Sequence, residues 1–169
     1  ELITSMILLL LDGIVAETPK SVDKLYDKYD ATFEESGEIE NKINSVMDIM
    51  FRIYEYFNGN LGCLSNKNYF FTFYAVLVNQ LYGIKESGLE RNAAYEENCI
   101  LDNINSFTES CALFLNAFAT NVTDVPSGKT IEPKWAEFRK NHNSRTTSKN
   151  ERNKRITFMN NYFVGTGYG

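Results

Sequence analysis

The sequence predicts an all-α fold, a single-domain bundle of six or seven helices around a central apolar helix at about residues 68–84. Two long stretches repeat their apolar residues in steps of four and three, the period of one helix face. No stretch alternates with period two, so strand content should be close to nil. One middle segment is apolar on almost every side, as suits the centre of a bundle.

Taken in chain order, the first element is the run Ile7-Leu8-Leu9-Leu10-Leu11, closed by Asp12-Gly13. A membrane span needs roughly 20 apolar residues and a signal peptide needs a basic leader, so a buried helix fits this run better. The chain opens at Glu1-Leu2-Ile3 without an initiator Met and with this apolar stretch already under way, as expected of a fragment of a longer protein. A second helix is expected from Val22 to about Phe33, started by Ser21 and Asp23 and presenting Val22, Leu25, Tyr26, Tyr29 and Phe33. A third carries Ile39, Ile43, Val46, Met50, Ile53 and Phe57 and ends at Asn58-Gly59.

The fourth is the core helix, Asn68 to Ile84, where only Thr72, Asn79 and Gln80 make a narrow polar strip. The fifth repeats the same stepping through Ile100, Ile104, Phe107, Cys111, Phe114 and Phe118. Pro133 suits the first turn of a short helix bearing Trp135 and Phe138. Ser148 then caps a last helix, about Lys149 to Val164, with Ile156, Met159 and Phe163 facing inward. Residues 1–164 form the expected domain, and 165–169 a flexible tail rich in glycine.

A chain of 169 residues that is 43% hydrophobic and 23% charged is long and apolar enough to fold on its own core. Three cysteines (Cys63, Cys99, Cys111) cannot all pair, and none lies in a C-x-x-C, so a reducing cytoplasm is the expected location. The single histidine, His142, leaves little for metal sites or His-dependent dyads. No metal and no cofactor is expected.

Local motifs are weak. Ser127-Gly128-Lys129-Thr130 resembles the end of a Walker A loop, but Thr123 stands where that loop needs glycine, and Pro133 breaks the chain where a helix should follow. Asn141-His142-Asn143 spells part of an HNH nuclease motif without a second histidine, and Cys63 with His142 makes a poor nucleophile–base pair. The acids Asp23, Asp27, Asp30, Glu34, Glu35, Glu38, Glu40, Glu96 and Glu97 are spaced as solvated faces. Asn121-Val122-Thr123 fits a glycosylation sequon, a pattern common by chance.

Charge is the feature with functional content. Between Lys129 and Arg155 lie nine Lys/Arg against three acids, while the rest of the chain holds eight basic and nineteen acidic residues. Candidate nucleic-acid contacts are therefore Lys129, Lys134, Arg139, Lys140, Arg145, Lys149, Arg152, Lys154 and Arg155. At 100° per residue, Arg152 falls in line with Ile156, Met159 and Phe163, and Arg155 lies about 60° away. An arginine there covers apolar surface with its stem, pairs an acid of the body, or reaches a phosphate.

Several stretches carry a resemblance. Glu1-Leu2-Ile3, Ile7 to Ile14, Lys20 to Asp30, Asn66 to Tyr74 and Ser148 to Phe163 together resemble the helical region after the ParB/sulfiredoxin-like domain of bacterial GmrSD-type restriction proteins. In that family the ParB-like domain carries an Asp-Gly followed by Gln-Gln-Arg; here Asp12-Gly13 is followed by Ile14-Val15-Ala16, so no catalytic residue transfers. The resemblance implies a non-catalytic accessory domain of an anti-phage restriction protein, partnered by a ParB-like domain and touching DNA through the basic segment. The other expectation from the residues is a protein–protein interaction module without a nucleic-acid role. Neither places the chain at a membrane.

Overall fold

In the computed structural model, six long α-helices follow one another among the described residues: α1 (Leu2–Asp12), α2 (Pro19–Tyr29), α3 (Ser36–Tyr56), α4 (Lys67–Tyr82), α5 (Ile104–Val122) and α6 (Lys149–Gly165). A 3-10 turn, Gly62–Ser65, leads into α4, and residues 136–138 add one helical turn. The structure describes residues 2–60, 62–92, 102–122, 136–138 and 147–165, and no strand occurs among them. The all-helical expectation holds. The expected residues Ile100 and Trp135 lie outside the described set, as do 166–169 of the expected 165–169 tail, while Gly165 ends the last helix.

Helix α4 is the hub. Asn66 begins it by accepting the Asn68 amide hydrogen on its side-chain oxygen at 2.9 Å, which satisfies one of the amides a helix start leaves unpaired. Gly83, at φ +76°, ends it two residues before the expected limit, because a left-handed backbone cannot continue a right-handed helix. Every residue from Phe71 to Leu81 is buried. Neighbours α1, α3, α6 and the 3-10 turn pack against it, and α5 packs on α3. Phe114 of α5 binds three helices together: its ring stacks 6.2 Å from Phe73 of α4 and meets Phe163 of α6 edge-on at 4.9 Å. Phe138 is buried too, 5.8 Å from Tyr69 and 5.1 Å from Phe158.

The long stripes are placed as their stepping requires. Ile39, Val46, Met50 and Ile53 of α3 are buried, as are Phe107, Cys111 and Phe114 of α5 and Ile156, Met159 and Phe163 of α6. At the end of α1, Gly13 takes φ +76° and lies so close to the Lys85 carbonyl that a Cβ there would stand 2.6 Å from its oxygen.

Helix α2 departs from expectation. It starts at Pro19, not after Ser21, because Thr18 is the cap: the Ser21 amide donates to Thr18 Oγ1 at 3.1 Å while the Thr18 amide donates to Ser21 Oγ at 2.9 Å. Pro19 presets the first helical φ. The helix stops at Tyr29, and none of its residues is fully buried.

The polar strip on α4 faces inward. Asn79 and Gln80 each donate to the Asn160 side-chain oxygen, at 3.1 and 2.8 Å, and to the Glu90 carbonyl, at 3.0 and 3.2 Å. Asn160 in turn donates to the same carbonyl at 3.0 Å. This amide cluster fixes the register of α6 against α4 and ties down the segment after α4. Arg91 completes the tie by donating to the Leu81 carbonyl at 2.7 Å, near the end of the helix.

Two substitutions separate apolar from polar contributions. Phe73→Ala should cost about 3–5 kcal/mol through cavity formation. Asn160→Leu should cost about 1–3 kcal/mol by leaving the Asn79 and Gln80 amides short of an acceptor. Urea denaturation measures both, and an Asn160→Leu variant as stable as the parent would contradict a structural role for the cluster.

Candidate functional site

The start of α6 is set by Ser148, whose Oγ accepts the Glu151 amide hydrogen at 3.3 Å. From that start the helical period carries two arginines to the inner face, where Arg152 is 5% exposed and Arg155 1%. Burying a guanidinium is costly unless its hydrogens are matched. Arg152 meets most of this requirement by donating through Nη2 to Glu17 Oε2 at 2.6 Å and to Ser5 Oγ at 3.1 Å, and through Nη1 to the Val15 carbonyl at 3.5 Å, while its buried Nε–H has no acceptor. Its guanidinium also stands 4.6 Å over the Phe71 ring. One residue thereby joins α6 to α1, to α4 and to the α1–α2 connection.

Both guanidinium groups hold their protons less firmly than usual. Burial pushes the Arg152 pKa down, opposed by the Glu17 carboxylate. Burial pulls Arg155 down to about 10, the nearby Arg152 charge adds to the effect, and Glu151 works against it. Both remain cationic at neutral pH.

The arginines help line a recess of about 270 Å³ that also includes Ser5, Glu17, Phe71 and the first residues of α4. Asn66, Lys67 and Thr147 on its wall are exposed, while Ser5, Arg152 and Arg155 are buried. The described lining holds three cations (Lys67, Arg152 and Arg155) and one carboxylate, Glu17. The amino end of α4 adds its partial positive charge.

The four described candidate contacts, Lys149, Arg152, Lys154 and Arg155, do not share one face. Lys149 and Lys154 are exposed on α6, and Lys149 lines a polar groove of about 380 Å³ with Asp12, Lys85, Glu86 and Asn153. Arg152 and Arg155 point inward, so neither offers a solvated face to a duplex. Of the three uses open to Arg152, pairing an acid of the body is the one made. Lys129, Lys134, Arg139, Lys140 and Arg145 lie outside the described residues, as do Ser127–Thr130, Asn141–Asn143, Cys99, Glu96 and Glu97, and nothing is described of the Cys63 side chain. The acids Asp23, Asp27, Asp30, Glu34, Glu35, Glu38 and Glu40 are all exposed.

Glu17 and Ser5 escaped the sequence reading, since a lone Glu in a connection and a lone Ser in an apolar run carry no pattern. Among the described residues, no group of three or more His, Cys, Asp or Glu is placed to hold a metal. Cys111 is fully buried, and that burial raises its thiol pKa, so it presents no thiolate. No described helix is long and apolar enough to cross a membrane. Comparison of the chain with family models, curated proteins and solved structures finds no match.

Removing one partner of the buried pair tests its role. Glu17→Ala should destabilise by about 3–5 kcal/mol, because Arg152 is left with an uncompensated buried charge. Adding Arg152→Met should restore much of that loss, so that a denaturation double-mutant cycle shows strong coupling. Additive effects would contradict the pairing.

Proposed function

We propose that the chain is a helical accessory module of a GmrSD-like anti-phage restriction protein, docking a ParB-like domain and leaving the chemistry to it. The observation that carries this reading is the half-buried apolar face of α2, on which Tyr26 stands exposed. The helix is amphipathic in sequence, yet none of its residues is fully buried, and Tyr26 is 66% exposed. Between α1 and α2 lies a recess of about 370 Å³ lined by Ile7, Leu25, Tyr26, Tyr29 and Phe33. Beside it on α1, Ile3 is 69% exposed. Exposed aromatic and aliphatic side chains beside such a recess suit a partner domain, with aromatic residues as anchors. The resemblance in sequence supplies the identity of that partner.

A DNA role forms the second part of the proposal, and the exposed Lys149 and Lys154 favour it. Lys149 shares a polar groove with Lys85, Asp12 and Glu86, so it is the exposed end of the Lys149 and Lys154 side chains, not the groove, that would meet backbone phosphate. Such contacts would position a duplex without reading its sequence.

Two experiments test the two parts separately. Titrating the chain with the ParB/sulfiredoxin-like domain of a GmrSD-type protein should give a complex that survives nuclease treatment, and Tyr26→Asp should weaken it about tenfold or more, on the order of 1.4 kcal/mol. No complex with the parent chain would contradict docking. Duplex DNA should bind more weakly as salt is raised, and Lys149→Glu with Lys154→Glu should weaken it across all sequences. Absence of binding at low salt would discard the DNA part.

A further inference from the structure

We propose that the recess between α1 and α2 receives a basic side chain of the docking partner, with its apolar stem against Ile7 and Leu25 and its cation among Tyr26, Phe33 and Asp30. The inference deepens the docking reading and rests on it only for the claim that a partner covers this face.

The recess takes its form from the end of α2. Helical period brings Tyr26 and Asp30 to neighbouring positions four residues apart, and does the same for Leu25 and Tyr29. Asp30 keeps helical dihedrals at the cap, φ −60° and ψ −39°, so the spacing persists through it. Just beyond, Phe33 stands with its ring centroid 4.3 Å from that of Tyr29. The resulting space of about 370 Å³ lies in the lower part of the roughly 300–1,000 Å³ range of ligand-holding clefts. Its lining is mostly aliphatic and aromatic, with one carboxylate, Asp30, and no base.

Charge selects the occupant. Cations stabilise the carboxyl end of a helix and acids destabilise it, yet Asp30 caps α2 there. Its carboxylate makes no ion pair or side-chain hydrogen bond with any described residue. Lys28, the one base in the last turn, is engaged elsewhere: its ammonium stands 4.8 Å over the Tyr29 ring and is attracted by Asp12 and Glu35. That contact uses one ring of the cluster and demonstrates within the chain that such a ring draws a cation. Tyr26, with no ring contact to a described residue, is left open, as is Asp30. Over residues 19–35 five acids outnumber three lysines, which disfavours an acidic occupant.

A wholly apolar side chain would cover the Asp30 carboxylate without answering its charge, at a cost in desolvation. Lysine and arginine match both parts of the recess. Their stems lie along aliphatic surface, and their charged ends meet aromatic faces and a carboxylate.

Two blocked tripeptides, alanine-lysine-alanine and alanine-norleucine-alanine, test the inference by NMR titration of the intact chain, because norleucine keeps the stem and lacks the charge. The lysine peptide should shift the amides of Leu25 to Phe33 in a saturable way and bind about threefold or more tightly than the norleucine peptide. Asp30→Asn, at an exposed position, should weaken the lysine peptide about two- to fivefold and leave the norleucine peptide unchanged. Asp23→Asn, outside the recess, should alter neither. The inference is overturned if the norleucine peptide or a glutamate peptide binds as tightly, or if Asp30→Asn leaves lysine affinity unchanged. A lysine peptide that binds where the ParB-like domain does not upholds the cation site and removes that domain as its source. A domain that docks while the lysine peptide shifts nothing overturns this inference and leaves the docking reading in place.

Discussion

A helix that is apolar around almost its whole circumference must be covered on every side, and α4 imposes that condition on its neighbours. Each residue from Phe71 to Leu81 would otherwise expose apolar surface to water, at a cost of roughly 25 cal/mol for each Å². Helices α1, α3 and α6 answer this demand directly. Helix α5 answers it through Phe114, which reaches Phe73 and Phe163 together. The positions of the polar groups follow from the same condition, since whatever polar side chain α4 or α6 places at the shared seam is taken out of water and must find a partner there.

Two polar solutions result, one toward each end of the seam. Asn79, Gln80 and Asn160 share the Glu90 carbonyl and so lock α6 to α4 with neutral amides. Arg152 reaches across to Glu17 and Ser5, a charged tie between residues far apart in sequence. The first solution is closed by its own hydrogen bonds. The second leaves Arg155 buried beside Arg152 at the recess between α6 and the start of α4. Helix α2 lies outside the core; its reciprocal Thr18–Ser21 cap secures its start, while Val22, Leu25 and Tyr29 are half-buried and Tyr26 is exposed.

Periodicity made the α3, α5 and α6 stripes legible, because burial at intervals of three and four leaves a mark in composition that tertiary context rarely overrides. The same stepping put Arg152 in line with Ile156 and Met159, so its inward position was readable, though its partner was not. Glu17 lies in an irregular connection where no period operates, and its meeting with Arg152 depends on how α1 and α6 both approach α4. The start of α2 was misplaced for a local reason: Ser21 looks like a cap in isolation, and only the reciprocal bond to Thr18 reveals it as the third residue of the helix. Burial of Asn79 and Gln80 was hidden because a narrow polar strip reads the same whether it faces water or a matching amide.

Amide hydrogen exchange across the whole chain tests most directly the claim that α4 is the element on which the bundle is built. The account requires the amides of Phe71 to Leu81 to exchange only through global unfolding, with protection at the full stability of the chain, while those of α2 exchange through far easier local opening. Equal protection in α2 and α4, or rapid exchange within Phe71 to Leu81, would contradict it.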